Sequence, residues 1–300
     1  MNMKPVSAIA ASVIAGTALA QQPVTLRFDA RVGNDAFACG RTYVSASNVA
    51  FAVEDFRFYI HDAQLLKADG GAVAITLEQD GKWQRDNAAL LDFEDKTGAC
   101  GNGTAETRHE VRGTVPAGEY RGVRFTLGLP FALNHQDATI AQAPFNVTSL
   151  FWNGRGGYKF ARIDLVAKTA DGRPNPFPIH LGSTLCTTAS AGAMAGHDGA
   201  PSGGHGGAAG MMTPPTVCAN PNRVTVEFNG FNPARDRIVA DLGALIKGTD
   251  IRTNHGDMPG CMSAPNDNDC VAIMKNFGIA FRGVPGEQAF FRINRLLLTQ

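Results

Sequence analysis

The sequence predicts an all-β fold, a mainly antiparallel β-sandwich or barrel-like arrangement with one or two short helices and long loops. Three observations lead there. Runs of alternating apolar and polar residues recur along the chain, each bounded by Gly, Pro, Asn or Asp. Turn-forming residues are abundant, with 34 Gly and 16 Pro in 300 residues. Helical periodicity is confined to two short stretches.

The elements follow in order. Val24–Ala30 (VTLRFDA) alternates as a half-buried strand does, and Phe56–Ile60, Gly71–Leu77, Gly122–Leu129, Tyr158–Ala167 and Arg223–Phe228 repeat the pattern. Asp241–Lys247 (DLGALIK) spaces its apolar residues by about one turn and is expected to be a helix; Cys270–Phe277 is a second, weaker helical segment. Ala189–Pro215 is nearly all Gly, Ala, Ser, His, Met and Pro, too poor in apolar surface to fold alone. It reads as a flexible loop, at residues 189–215, within one domain spanning 21–300.

Residues 1–20 have the form of a secretory signal peptide. Lys4 is the only charge, a small-apolar run extends from Pro5 to Ala18, and Ala18-Leu19-Ala20 is a small-x-small cleavage signal. The expected mature chain begins at Gln21, is exported, and has no later stretch long enough to enter a bilayer. Formal net charge is zero and the basic residues are scattered, which excludes the electrostatic footprint of a nucleic-acid binder. In an oxidising compartment six cysteines are expected to pair, and chain order suggests Cys39–Cys100, Cys186–Cys218 and Cys261–Cys270 among fifteen possible connectivities. No spacing is CxxC, which argues against a zinc or thioredoxin-type site.

Candidate chemistry begins in the Gly-rich loop. His197, His205, Met194, Met211 and Met212 offer imidazole and thioether donors, a set suited to copper and, through sulfur, to Cu(I). The alternative is a plain linker. His135, after the strand ending near Leu129, and His180, six residues before Cys186, lie in more ordered contexts; His61 ends a strand and is a third candidate. His109 and His255 lie in polar stretches and read as solvated. Asp92, Glu94 and Asp95 form an acidic group open to acid–base work or to a plain strand end. Asp267 and Asp269 could hold calcium or merely brace a turn. Trp83 and Trp152 read as core or rim aromatics. No GxSxG, Walker loop, HExxH, CxxCH or dinucleotide fingerprint occurs, so nothing supports an enzyme.

Several segments together resemble the MbnP family of periplasmic copper-binding proteins, also described by a four-Cys motif in metallo-mystery pair systems. They are DFRFYIHDAQLL (55–66), ALLDFED (89–95), RFTLGLPFALNHQD (124–137), LFWNGRGGYKFARID (150–164), FPIHLGSTLC (177–186), CANPNRVTVEFNGFNP (218–233), DLGALIKGTDI (241–251) and PGCMSAPNDNDC (259–270). The resemblance implies copper as the bound metal and a dihaem partner of the MauG/MbnH-like peroxidase group that oxidises a tryptophan to kynurenine. Carried over by position, it makes His135 and His180 the preferred ligands and Trp152 the residue modified. Family members often carry a second tryptophan two positions on, where this chain has Gly154; Trp83, in a Trp-Gln context, is the fallback substrate. A metal-free, disulfide-stabilised β-sandwich interaction module is the alternative to copper binding.

Overall fold

Val24, Leu26 and Phe28 alternate with polar neighbours, and that run is the middle of a 12-residue strand, Gln21–Val32. The structure, a computed structural model, describes residues 20–188, 214–256 and 258–295. The leader and the loop residues Met194, His197, His205, Met211 and Met212 lie outside the described residues.

Two principal sheets pack face to face. The smaller runs Phe291–Asn294, Arg237–Asp241, Gln21–Val32, Glu110–Pro116, Thr76–Leu77, and the larger Pro174–Leu181, Ala161–Lys168, Ala50–Leu66, Gly122–Leu127, Val224–Asn229. Neither sheet closes, so the barrel-like option gives way to a sandwich. Among the described residues the strands pair antiparallel apart from Gln21–Val32 beside Arg237–Asp241, and one isolated bridge, Ile179 to Cys261, is also parallel. Asp241 accepts a hydrogen bond from Ala244 and caps the helix Leu242–Leu245, and Cys270–Phe277 ends on the left-handed Gly278. A third helix, Phe131–Asn134, was not expected from sequence; one turn is too short for a periodic signal. Among the described residues no helix is long and apolar enough to cross a membrane.

The interior is rich in phenylalanine. Phe28 meets Phe58 and Phe125 edge-on across the sheets, at centroid separations of 6.2 and 5.7 Å, and Phe290 and Phe291 complete the cluster. Each fully buried ring contributes roughly 1.5–3 kcal/mol. All three disulfides form as chain order suggested: Cys39–Cys100, Cys186–Cys218 and Cys261–Cys270.

The long strand Ala50–Leu66 organises the rest. Phe56, Phe58 and Ile60 face the other sheet, so Asp55, Arg57, Tyr59 and His61 lie on the opposite face. That face is not open to water. Residues 129–160 cover it: Tyr59 donates to the Pro144 carbonyl at 2.9 Å and packs against Phe145 and Tyr158. Register then lines up Asp92, Arg57, Arg162 and His180 on four adjacent strands. Asp55 and Asp164 are paired neighbours one step along.

Residues 92–95, open to acid–base work or to a plain strand end, lie at the end of the strand Ala88–Asp92 in this buried row. Asp92 and Glu94 are buried against Arg57, and Asp95 caps an exposed turn through Thr97. Asp55, Asp92, Glu94 and Asp164 share two guanidiniums, Arg57 and Arg162. Burial, which Arg57 opposes, pushes the Asp92 carboxyl up to about 8. The sign follows from linkage: between the unfolded carboxylate range and about 8 the folded state holds a proton that the unfolded state has lost, so stability falls as pH rises through this window. Asp92→Asn is expected to flatten that fall, read as the change in urea midpoint between pH 5 and pH 8; an unaltered slope would refute it.

Candidate metal centre

The three structured histidines are each held by one ring nitrogen. On the central strand of the larger sheet, Ala50–Leu66, His61 places Nδ1 2.8 Å from the Gly128 carbonyl. Because a carbonyl only accepts, Nδ1 carries the proton and Nε2 is the free nitrogen, 3.6 Å from Asp62. His180 places Nε2 2.7 Å from Asp164. Burial, partly offset by Asp164, lowers the His180 pKa, while hydrogen bonds and charge from His180 and Arg162 outweigh burial and hold Asp164 below its ordinary value. Both directions describe a neutral imidazole donating Nε2–H to a carboxylate, with Nδ1 left as a lone pair. Metal-bound histidines are commonly oriented by such a carboxylate.

His135 differs. It follows the Phe131–Asn134 turn, stacks on Phe131 at 4.6 Å, and takes the Asn134 amide on Nε2 at 3.1 Å. Its Nδ1 is buried with no hydrogen-bond partner. Burial lowers its pKa, while the Gly154 backbone favours a ring proton without completing a bond. With Nε2 accepting from Asn134, the neutral ring carries its proton on Nδ1, a buried donor without a partner, and such an orphan usually costs free energy.

Trp152 is half-buried on the short strand Phe151–Asn153. Its ring lies against Gly182, where an added Cβ would come within 2.4 Å of Cζ3, and against Gly156. Gly182 is two residues beyond His180, and its carbonyl accepts from Asn222 at 2.8 Å. Arg57, Arg162 and Lys159 all bond Ser149, three residues before Trp152, which ties the tryptophan segment to the buried charge row. Gly182→Ala is expected to displace the ring and shift the tryptophan emission spectrum; an unchanged spectrum would show that the packing is not tight.

A cleft of about 540 Å³ opens beside this tryptophan, lined by Trp152, Leu185, Cys186, Met258 and Met262 among others. A larger cleft, about 790 Å³, lies between the first strand and Gly118–Arg121, but its walls hold no His, Met or Trp. The donor chemistry favours the smaller one. Cys186 is bridged to Cys218, whose sulfur is 3.4 Å from His135 Nε2, so the disulfide separates His135 from the cleft wall.

Among the described residues two sets of three His, Cys or carboxylate ligand atoms lie within 4.8 Å: His135, Cys186, Cys218 and Cys261, Asp267, Cys270. In each, both sulfurs belong to one disulfide, so neither set is a thiolate site. No such set unites His135 with His180. His61 and His135 both feel Arg223, which donates to the Leu129 carbonyl between them. Trp83 lies elsewhere, its backbone N–H on Asp80 and its ring under Lys82.

His109 and His255 are both exposed, as expected, and each ring has one contact: His109 packs on Phe93 at 4.9 Å, and His255 is bonded to Asp269. The calcium reading of Asp267 and Asp269 finds no support: Asp267 accepts from Met262 and Asp269 backbone N–H groups, and Asp269 takes the His255 ring and backbone nitrogens. Every carboxylate oxygen already faces a donor. Met258 and Met262 were missed at the sequence level, although their four-residue spacing after His255 was visible.

The MbnP family model matches residues 21–263. The solved structure of MbnP from Methylosinus trichosporium superposes with a TM-score of 0.74 at 26% identity, covering 93% of this chain and 100% of that one. No functionally curated protein matches the chain.

Proposed function

This chain belongs to the MbnP family, and from that premise we propose that it is a periplasmic copper-binding protein and the substrate of a dihaem, MauG-like partner that converts Trp152 to kynurenine. The observation that carries the reading is the setting of Trp152: a half-buried ring on a cleft rim, packed on Gly182, two residues from a histidine whose Nε2 is anchored on Asp164. The donors present fit copper. His180 Nδ1 is the lone pair that would hold it; His135 would join through Nδ1 only in the tautomer that puts its proton on Nε2 and displaces the Asn134 amide, and no protein thiolate competes.

Oxidative cleavage of the indole C2–C3 bond, with two equivalents of peroxide activated by the partner, puts one oxygen on each carbon; hydrolysis then releases C2 as formate and leaves an aniline amine and a ketone, two groups able to face a metal or hydrogen-bond beside it. The oxidising equivalents come from the dihaem partner. Such a partner needs a tryptophan within reach of the surface, and the rim offers a place to dock: Leu185 and Met258, both more than half exposed, line the cleft with Trp152, and Val217 is paired with Thr187 on the adjoining ladder. Trp83, beneath Lys82 and beside Asp80, has no comparable apolar rim among its described contacts.

Co-expression with the dihaem partner is expected to change the intact mass by one Trp-to-kynurenine conversion, located at Trp152 by peptide sequencing and absent from Trp152→Phe. Conversion at Trp83 instead, or an unchanged mass, would overturn the modification. Unmodified protein that binds copper with full affinity would separate the metal site from the modification.

A further inference from the structure

We propose a binding site for a small organic anion with an apolar body, such as an aromatic carboxylate, in the cleft between the first strand and residues 118–121. It shares no residue with the reading of His135, His180 and Trp152 and does not depend on it.

The cleft, about 790 Å³, has the volume of a small-molecule site. Part of its lining is apolar: Val24 and Leu65, both buried, with Pro23 and Pro233 beside them. Tyr120 adds a ring packed on the core, its hydroxyl donating to the Pro116 carbonyl at 2.7 Å. Covering such surface favours a ligand with a hydrocarbon or aromatic body.

The charge on this lining is positive and largely unspent. Arg27, Arg121 and Glu119 are its ionised residues. Among the described residues the Arg27 guanidinium makes no hydrogen bond or ion pair. Glu110, its cross-strand neighbour, is paired with Arg112 instead. The Arg121 side chain meets Glu119 at 3.7 Å, the two being 69% and 90% exposed. An exposed pair of that kind contributes little and is readily given up. Guanidinium binds a carboxylate through two parallel N–H groups, which makes an oxyanion the matching headgroup. A neutral ligand would leave both guanidiniums unused, and a bare ion would leave Val24 and Leu65 uncovered.

The walls stand without a ligand. Gln22 Nε2 donates to the Gly118 carbonyl at 3.1 Å, and the Gly118 N–H returns to Gln22 Oε1 at 3.4 Å. The Arg121 N–H donates to the Leu66 carbonyl at 2.8 Å, while its own carbonyl accepts from Gly230 at 2.6 Å. On the third side the Asn232 N–H donates to the buried Asp236 at 2.8 Å, and Asn232 Oδ1 accepts from Ala234 at 2.9 Å. A cleft held from three sides gives up little further freedom on binding.

The test follows the arginine Nε–H signals of the full chain by ¹⁵N NMR during titration with naphthalene-2-carboxylate. Acetate and 2-naphthylmethanol serve as the headgroup and the body alone. The two signals that disappear in Arg27→Gln and Arg121→Gln are expected to shift together and saturably with the naphthoate. Each variant should weaken its binding by at least about tenfold, the loss of one charge-assisted hydrogen bond. If 2-naphthylmethanol binds as well, charge plays no part; if acetate does, the apolar lining plays none; either result overturns the proposal, as do two unmoved signals. The response should persist in His135→Ala/His180→Ala and in Trp152→Phe, so failure of the copper reading leaves it intact.

Discussion

His180→Ala should lower the copper affinity of the modified protein by at least about a hundredfold, because a ligand contributes more than its supporting shell, whose loss typically costs 10–100-fold. The state of the ring sets this loss. Asp164, held ionised by His180 and Arg162, accepts Nε2–H and leaves Nδ1 as the donor atom. Asp164→Asn keeps the ligand but removes its orienting charge, so it should cost about 10–100-fold. His135→Ala should be similarly damaging, and it also removes an unsatisfied buried nitrogen, so its stability should change little. Because burial lowers the pKa of both histidines, protons compete for them only below the ordinary histidine range. Affinity should therefore be flat near neutrality and fall as pH drops through the lowered pKa values. Competition titration with a chromophoric chelator, alongside circular dichroism of each variant, reads these effects. If both alanine variants keep wild-type affinity, the copper is held elsewhere.

Arg57→Met should destabilise the fold by about 3–5 kcal/mol at neutral pH, the usual cost of stranding buried carboxylates. Arg57 is 2% exposed; it forms a double hydrogen bond with Asp55 and lies 3.7 Å from Glu94. By contrast, breaking the exposed Arg173–Asp171 pair should cost at most about 1 kcal/mol. The pH dependence separates charge from packing. Burial already raises Asp55 and Glu94, and losing Arg57 raises them further, so the folded variant binds protons that its unfolded chain releases. Stability then increases as pH falls. Urea unfolding at pH 7.5 and pH 5 should show the deficit shrinking at the lower value. A cost under about 1 kcal/mol at pH 7.5, or one equal at both, would mean that Arg57 matters only for its packing.

Much of the fold was legible because alternation is local. The six expected strand runs all fall on strands, with breaks at Ile75 and between Tyr158 and Ala161, and both expected helices form. The site was less legible. Sequence singled out His135, His180 and Trp152 but carried no sign that Cys186–Cys218 stands between His135 and the tryptophan cleft. In His255-Gly-Asp-Met258 a polar neighbourhood suggested solvent, and only the fold reveals Asp269 behind the ring.

By itself the sequence determined the all-β class, suggested the cysteine pairing, and marked which imidazoles and indole were worth pursuing, since these follow from side-chain period, chain order and donor chemistry. Only the tertiary structure decided what lies beneath residues 129–160. Asp55, Arg57 and His61 alternate like a solvent face, yet a second layer buries them, and register sets His180 in a row with Arg162, Arg57 and Asp92. Period reports which side of a strand a residue takes. What covers that side is settled by segments far away in the chain.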